Sequence, residues 1–327
     1  MVKPDLFCST IIPTIGRATL DRAVESVINQ HFDQPFEVIV INDSGRPLVS
    51  AAWQQAARVK VIDTARRERS VARNVGASVA RGKYLHFLDD DDWLLPEALQ
   101  ALKELAQPAQ ENAWLYGGTQ LVDRQGNFII ELHHGLNGNC FVQVLAGEWI
   151  PLQASLIPAK AFFDVGGFDP RLSGPEDIDL CRRIALTHDL AATPRVVASI
   201  GMGSEGSTTD RDQSRVCSRW AREGVLDSRG VLARLRSSAM EDQWFGRIVR
   251  VYLTSVVWNL QHRRLFTACS RAAFGLASLA LAGPHAVSGN FLRSVLNSYE
   301  SDTFSRGLRQ KEGQGADAGG PRPQAIR

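Results

Sequence analysis

Four consecutive aspartates, Asp89 to Asp92, follow the apolar run Lys83-Tyr-Leu-His-Phe-Leu88 and are the residues of this chain best suited to chemistry. The run reads as a buried strand of a parallel sheet, whose carboxyl end opens into the crevice where open α/β sheets bind ligands. Adjacent carboxylates repel one another, and a shared cation relieves that repulsion. Hard oxygen donors of this kind suit Mg²⁺ or Mn²⁺ held together with substrate phosphates, whereas the plain alternative is a solvated acidic loop. Asp43 ends another strand, within Asn42-Asp-Ser-Gly45, a sequence that also makes a good turn. Arg69 and Arg73 stand one helical turn apart and present one cationic face. Guanidinium forks suit phosphate oxygens and base carbonyls; solvent or Glu68 would satisfy them equally well. Glu176 and Asp177 lie in Ser173-Gly-Pro-Glu-Asp-Ile-Asp179, a helix start in which Ser173 and Glu176 have capping-box spacing, Pro175 suits the first turn and the acids complement the dipole.

The elements that must position these groups alternate. Strand 5–12 precedes a helix in which Leu20, Ala23, Val24, Val27 and Ile28 recur at helical spacing. Strand 36–42, a short helical segment near 48–57, strand 59–62, a helix over 68–81 and strand 83–88 continue the pattern. Such alternation predicts an α/β fold with a parallel sheet and crossover helices, the nucleotide-binding half of a domain. From 93 the pattern is less regular, with strands expected near 113–118, 127–132, 154–158 and 195–200 and helices near 96–106, 140–146 and 175–187. Trp149, Pro151 and Gln153 precede the 154–158 strand, where they could line an acceptor pocket. The adjacent His133 and His134 sit on a polar connection and are expected to face solvent.

A net charge of +2 argues against a nucleic-acid partner. The five scattered cysteines, without a Cys-x-x-Cys pair, indicate neither a disulfide framework nor a zinc site. No secretory signal is visible, so the expected location is cytoplasmic. The uncharged stretch Ala272–Leu292 is interrupted by Gly283-Pro284 and polar residues and is expected not to span a membrane. After about 210 the strand signals stop and arginine-rich helical patterning takes over. In 243–261, Phe245, Ile248, Val249, Tyr252, Val256 and Leu260 form a stripe opposite Gln243, Arg247, Arg250, Thr254 and Gln261. This helical appendage is expected to meet a protein surface, a second copy of the chain or, as a peripheral contact, the inner face of a membrane. The Gly- and Pro-rich residues 311–327 are expected to be disordered.

Three segments, IIPTIGRATLDRAVESVINQ (11–30), FEVIVINDSG (36–45) and SVARNVGASVARGKYLHFLDDDDWL (70–94), resemble the family 2 inverting glycosyltransferases. A fourth, VGGFDPRLSGPEDIDLCRRI (165–184), resembles that family's acceptor-side signature. The resemblance implies a GT-A fold over 1–210, with a nucleotide-binding half (1–92), an acceptor half (93–210) and a mixed central sheet, followed by the helical appendage (211–310). It implies a nucleotide-diphosphate sugar donor, usually a uridine nucleotide, with Mn²⁺ or Mg²⁺ as cofactor. A hydroxyl of a glycan or lipid-linked molecule would be the acceptor, in polysaccharide biosynthesis.

Carried over by position, the resemblance places the nucleotide base near Pro13 and Thr14 and the base or ribose near Asp43, with Arg73 on the donor. Asp89 and Asp91 become the ends of an Asp-x-Asp element: Asp91 is the principal metal ligand, and Asp89 or Asp90 contacts ribose or a metal-bound water. Asp177 becomes the general base that takes a proton from the acceptor. The loop Ser204-Glu-Gly-Ser207 lacks the histidine that many members carry there. Gly201-Met-Gly-Ser-Glu-Gly206 formally fits a dinucleotide-binding pattern but follows the βα units instead of opening them. Two other classes remain open on sequence. A sugar-nucleotide-forming nucleotidyltransferase would open with a glycine-rich phosphate loop, and a non-catalytic nucleotide-sugar-binding protein would not need both Asp91 and Asp177.

Overall fold

The computed structural model describes residues 6–64, 68–107, 112–145, 148–172, 174–202, 224, 230–237 and 240–296. By its internal contacts the chain divides into two compact units, Met1–Cys140 with Ile150–Val225, and Phe141–Trp149 with Leu226–Arg327.

The first unit is built on β1 (Leu6–Thr14), β2 (Phe36–Asn42), β3 (Val59–Asp63) and β4 (Gly82–Phe87), joined through α1 (Leu20–Ile28), a 3₁₀ turn (Ala52–Gln55) and α2 (Arg69–Val79). These strands pair in parallel in the order β3-β2-β1-β4. All seven residues of β2 are buried, as its unbroken apolar run requires for a strand covered on both faces. In α2, Gly76 lies against the sheet where a Cβ would come within 2.4 Å of Ile11. The absent side chain lets the helix sit directly over β1.

The sheet then turns mixed. β5 (Trp93–Leu94), α3 (Ala98–Lys103), β6 (Trp114–Val122) and β7 (Phe128–Leu132) follow. After α4 (Phe141–Leu145) in the second unit come β8 (Ser155–Pro158), α5 (Ala159–Asp164), α6 (Glu176–Ala185) and β9 (Leu190–Gly201). The nine strands are ordered β3-β2-β1-β4-β8-β6-β9-β5, with β7 beside β6. β8 is antiparallel to both β4 and β6, and β9 runs parallel to β6. This is the mixed α/β sheet expected of a GT-A domain.

Several elements depart from their sequence readings. β1 runs two residues past the expected end because β2 continues to pair with it, Pro13 opposite Ile41 and Thr14 opposite Asn42. Thr14 is therefore a strand residue, and α1 begins after Thr19, whose side chain makes no capping bond. The helix expected over 96–106 shortens to Ala98–Lys103: Leu95 N–H still bonds the Val197 carbonyl, and Glu97 takes a left-handed φ of 61° just before the helix. β6 and β9 outrun their patterns by pairing with each other. His134, expected in solvent, is buried with its ring edge-on to Tyr116, while His133 is exposed beside Glu131. Residues 311–327, most of 211–230 and the Gly203–Gly206 part of the glycine loop lie outside the described residues.

The second unit contains α7 (Val231–Ser237), α8 (Glu241–Gln261), α9 (Leu265–Ala282) and α10 (Gly289–Leu296). Tyr252 of α8 stacks on Phe274 of α9, and Gly246 leaves the space in which Phe291 of α10 approaches α8. Ile248, Val249 and Tyr252 of the expected stripe are buried within this unit, whereas Leu260 is exposed. Arg250, expected on the polar face, donates to the Val295 and Leu296 carbonyls at the end of α10, where a cation complements the helix dipole. Leu265–Val287 is long and apolar enough to cross a membrane, with a mean hydropathy of 1.5, a property the sequence reading had discounted.

Candidate active site at the carboxyl ends of the parallel strands

In the strand order β3-β2-β1-β4 the chain moves outward from β1 in both directions, so β1 and β4 flank a topological switch point. The Asp run lies at its mouth. After Leu88 N–H closes the ladder onto the Ile11 carbonyl, Asp92 N–H donates back to the Asp89 carbonyl and the four aspartates form a tight turn. That turn sorts their side chains. Asp89, Asp91 and Asp92 each present a carboxylate oxygen, the three lying within 4.8 Å of one another, while Asp90 points elsewhere.

Asp90 is buried and accepts from the Thr14 hydroxyl at 2.5 Å and from the Arg17 guanidinium. Arg17 also stands 3.8 Å from Asp91. Burial raises the Asp90 carboxyl above its usual range against the opposing pull of Thr14 and Arg17. Thr14 meanwhile accepts from Gly16 N–H, which shapes the β1–α1 loop. Arg22 lies over the Trp93 ring at 3.7 Å and donates to the Asp91 carbonyl at 3.3 Å, holding the chain that leaves the turn.

Asp89 faces the other way, toward α2. Burial alone would raise its carboxyl, but the Arg73 guanidinium at 2.5 Å outweighs burial and holds it below the usual range. Asp92 is pushed well above that range by burial and by Asp89 and Asp91 alongside, although it accepts from Gly201 N–H at 2.8 Å. The trio is thus a set of clustered hard oxygen donors whose mutual repulsion a shared cation would relieve, and these groups fit a divalent metal ion.

Arg73 is the hinge of the site. Its guanidinium is buried between Asp89 and Glu176, 3.2 Å from the latter, and Arg69 reaches Glu176 at 2.7 Å. The face expected to meet a donor is therefore occupied by carboxylates of the chain itself. Glu176 also accepts from Gly174 N–H, so the residue read as a helix cap is the anchor of α6 on α2. Ser173 lies outside the described residues, and Pro175 is the residue preceding the helix. Asp177, next to this anchor, is half-buried and accepts from Ile178 N–H at 2.7 Å.

Asp43, at the end of β2, is also buried. Its two carboxylate oxygens accept from the Thr64 hydroxyl at 2.8 Å and from Glu68 N–H at 2.6 Å, and Glu68 in turn caps α2. Pro13 lies within β1, two strands from β3 at the same sheet end. Behind the Asp turn, Gln153 donates to Asp89 at 3.2 Å, and its backbone carbonyl lies 2.9 Å from Nε2 of His86. A carbonyl only accepts, so Nε2 carries the proton and Nδ1 accepts from the Thr10 hydroxyl at 3.1 Å. Burial lowers the His86 pKa to about 4 and keeps the ring neutral.

Sequence reasoning did not single out Arg17, Arg22 or Asp92. The first two follow from topology: the β1–α1 loop with Arg17, the first turn of α1 with Arg22 and the β4 turn lie at one end of the parallel strands, so cations of the former meet acids of the latter. Asp92 was hidden by a register choice that only the turn resolves.

Residues 9–150 match the Glycosyl transferase family 2 profile. This segment is a family 2 glycosyltransferase domain. Over 212 residues the chain is 26% identical to an uncharacterized glycosyltransferase of Rickettsia bellii, an alignment covering 62% of this chain and 30% of that protein. It is 30% identical over 126 residues to the GalNAc(5)-diNAcBac-PP-undecaprenol beta-1,3-glucosyltransferase of Campylobacter jejuni, covering 36% of this chain and 40% of the other. The chain therefore spans less than half the length of either relative. The glycosyltransferase fold is also that of S. aureus TarS 1-349 in complex with UDP-GlcNAc, with a TM-score of 0.53 at 14% identity over 81% of this chain and 90% of that one.

Proposed function

We propose that the protein transfers a sugar from a nucleotide-diphosphate donor, a UDP-sugar, to a hydroxyl of a glycan or lipid-linked acceptor, inverting the anomeric carbon. The observation that carries this reading is the trio Asp89, Asp91 and Asp92 at the switch point, tied through Arg73 and Glu176 to the helix start that bears Asp177. The UDP-GlcNAc complex of the TarS fold and the undecaprenol-linked substrate in the Campylobacter relative's name support the donor and acceptor classes.

Asp89, Asp91 and Asp92 would hold Mg²⁺ or Mn²⁺, which when bound supplies Lewis-acid neutralisation of the departing nucleotide diphosphate. Pro13, Thr14 and Asp43 border the nucleotide end of the crevice; a carboxylate at Asp43 retains lone pairs to accept from a base N–H or ribose hydroxyl. Arg73 orients Asp89 and Glu176 and offsets their charge. Asp177 accepts the acceptor's proton as its oxygen attacks the anomeric carbon, and one displacement assisted by one base gives inversion.

Incubation with a panel of UDP-sugars and Mn²⁺, watched for UDP release and analysed by proton NMR of the product, tests the reading. An inverted anomeric configuration is expected. A retained configuration, or pyrophosphate formed from a sugar phosphate and a nucleoside triphosphate, would replace it with another reaction.

A further inference from the structure

The α8–α9 hairpin ends in a tip, residues 258–266, that combines exposed apolar side chains with clustered cations. Trp258 and His262 stack with ring centroids 4.0 Å apart, and the Arg264 guanidinium lies 5.1 Å from the Trp258 ring. Arg263 takes the left-handed backbone conformation, with φ of 57°, that turns the chain. After Arg264, Leu265 is 65% and Phe266 91% exposed. Leu253, Val257 and Leu260 continue the apolar surface along one side of α8 at helical spacing, and all three are exposed. Within the tip the formal charges are Arg263 and Arg264; the acids of α8, Glu241 and Asp242, stand at its other end.

We propose that this tip docks into the interfacial layer of an anionic lipid bilayer, with Leu265 and Phe266 entering the acyl boundary and Arg263 and Arg264 on headgroup phosphates. Charge selects the occupant. A second copy of the same tip would set Arg263 and Arg264 against the same two cations, with no carboxylate within 258–266, a like-charge juxtaposition that opposes association. An anionic headgroup layer complements those cations, and the aromatic and apolar side chains beside them have a place at the boundary below. The hairpin lies on the bilayer without crossing it. Leu265–Val287 has the length and apolarity to cross, but it carries Arg271 within its length and is broken by Gly283-Pro284, which favours the interfacial position.

The inference does not depend on the proposed reaction and is tested without it. The full chain is cosedimented with vesicles of phosphatidylcholine alone, and of phosphatidylcholine with phosphatidylglycerol, at low and high salt. Binding to the anionic vesicles, weakened by salt, is expected. Arg263→Gln with Arg264→Gln should reduce that binding by about tenfold or more, and Leu265→Ser with Phe266→Ser should reduce it similarly, each with an unchanged melting temperature. Equal binding to both vesicle types, no binding to either, or apolar-tip variants whose only change is loss of a dimer would overturn the proposal.

Discussion

Asp89, Asp91 and Asp92 bring three carboxylates within 4.8 Å, and their neighbours divide the work between them: Arg73 compensates Asp89, Gly201 N–H supports Asp92, and Asp91 remains half-buried at the rim. If the trio holds the metal that carries the diphosphate, Asp91→Ala removes a donor atom that its neighbours cannot replace. UDP affinity in the presence of Mn²⁺ is then expected to fall to its metal-free value in titration calorimetry. Unchanged metal-dependent affinity would place the ion elsewhere. The Asp run was legible in sequence because an apolar strand ends on it, and Asp43 for the same reason. What each carboxylate faces was not legible, because the turn closed by Asp92 N–H onto the Asp89 carbonyl decides that orientation and four identical residues carry no register.

At the scale of elements, α2, the end of β4 and the start of α6 meet on one guanidinium. Arg73 is buried, and its removal leaves Asp89 and Glu176 facing each other without their shared cation. Arg73→Met is expected to destabilise the protein by about 3–5 kcal/mol in denaturant unfolding, the usual cost of breaking a buried ionic cluster. Removing the exposed Lys160–Asp164 pair by Lys160→Met should cost less than about 1 kcal/mol. Equal effects would mean that Arg73 does not bear the ionic cluster. The helix starts at Arg69 and Glu176 were readable from periodicity and capping chemistry. The contact of Arg73 with Glu176 was not, since residues 103 positions apart in sequence are brought together only by the crossover of the sheet.

At the scale of the molecule, His86 ties β4 to β1 through Thr10 and to the segment before β8 through Gln153, and it does so as a neutral ring. Its pKa falls from 6.5 to about 4 on folding, so between those values the unfolded chain binds the proton more readily than the folded one. Stability therefore rises with pH across this window, and acidification from pH 7 to pH 4 should remove roughly 3 kcal/mol on this account. His86→Gln offers the same acceptor and donor without the titration. It should flatten that acid limb in urea unfolding at successive pH values, and an unaltered limb would assign it to other groups. The parallel half of the sheet was legible because fully buried strands announce themselves. The mixed half was less so, because β5, β6 and β9 take their lengths from partners far along the chain. The stripe on α8 was visible as a pattern, but which part is covered depends on α9 and α10. The account as a whole divides donor binding, at the Asp turn, from chemistry, at the head of α6. Its most direct test is the turnover of Asp177→Asn with a productive UDP-sugar and acceptor, with UDP–Mn²⁺ affinity measured alongside. Turnover reduced by at least about a hundredfold at near-normal affinity is predicted for a lost base, and near-normal transfer by this variant would contradict the mechanism.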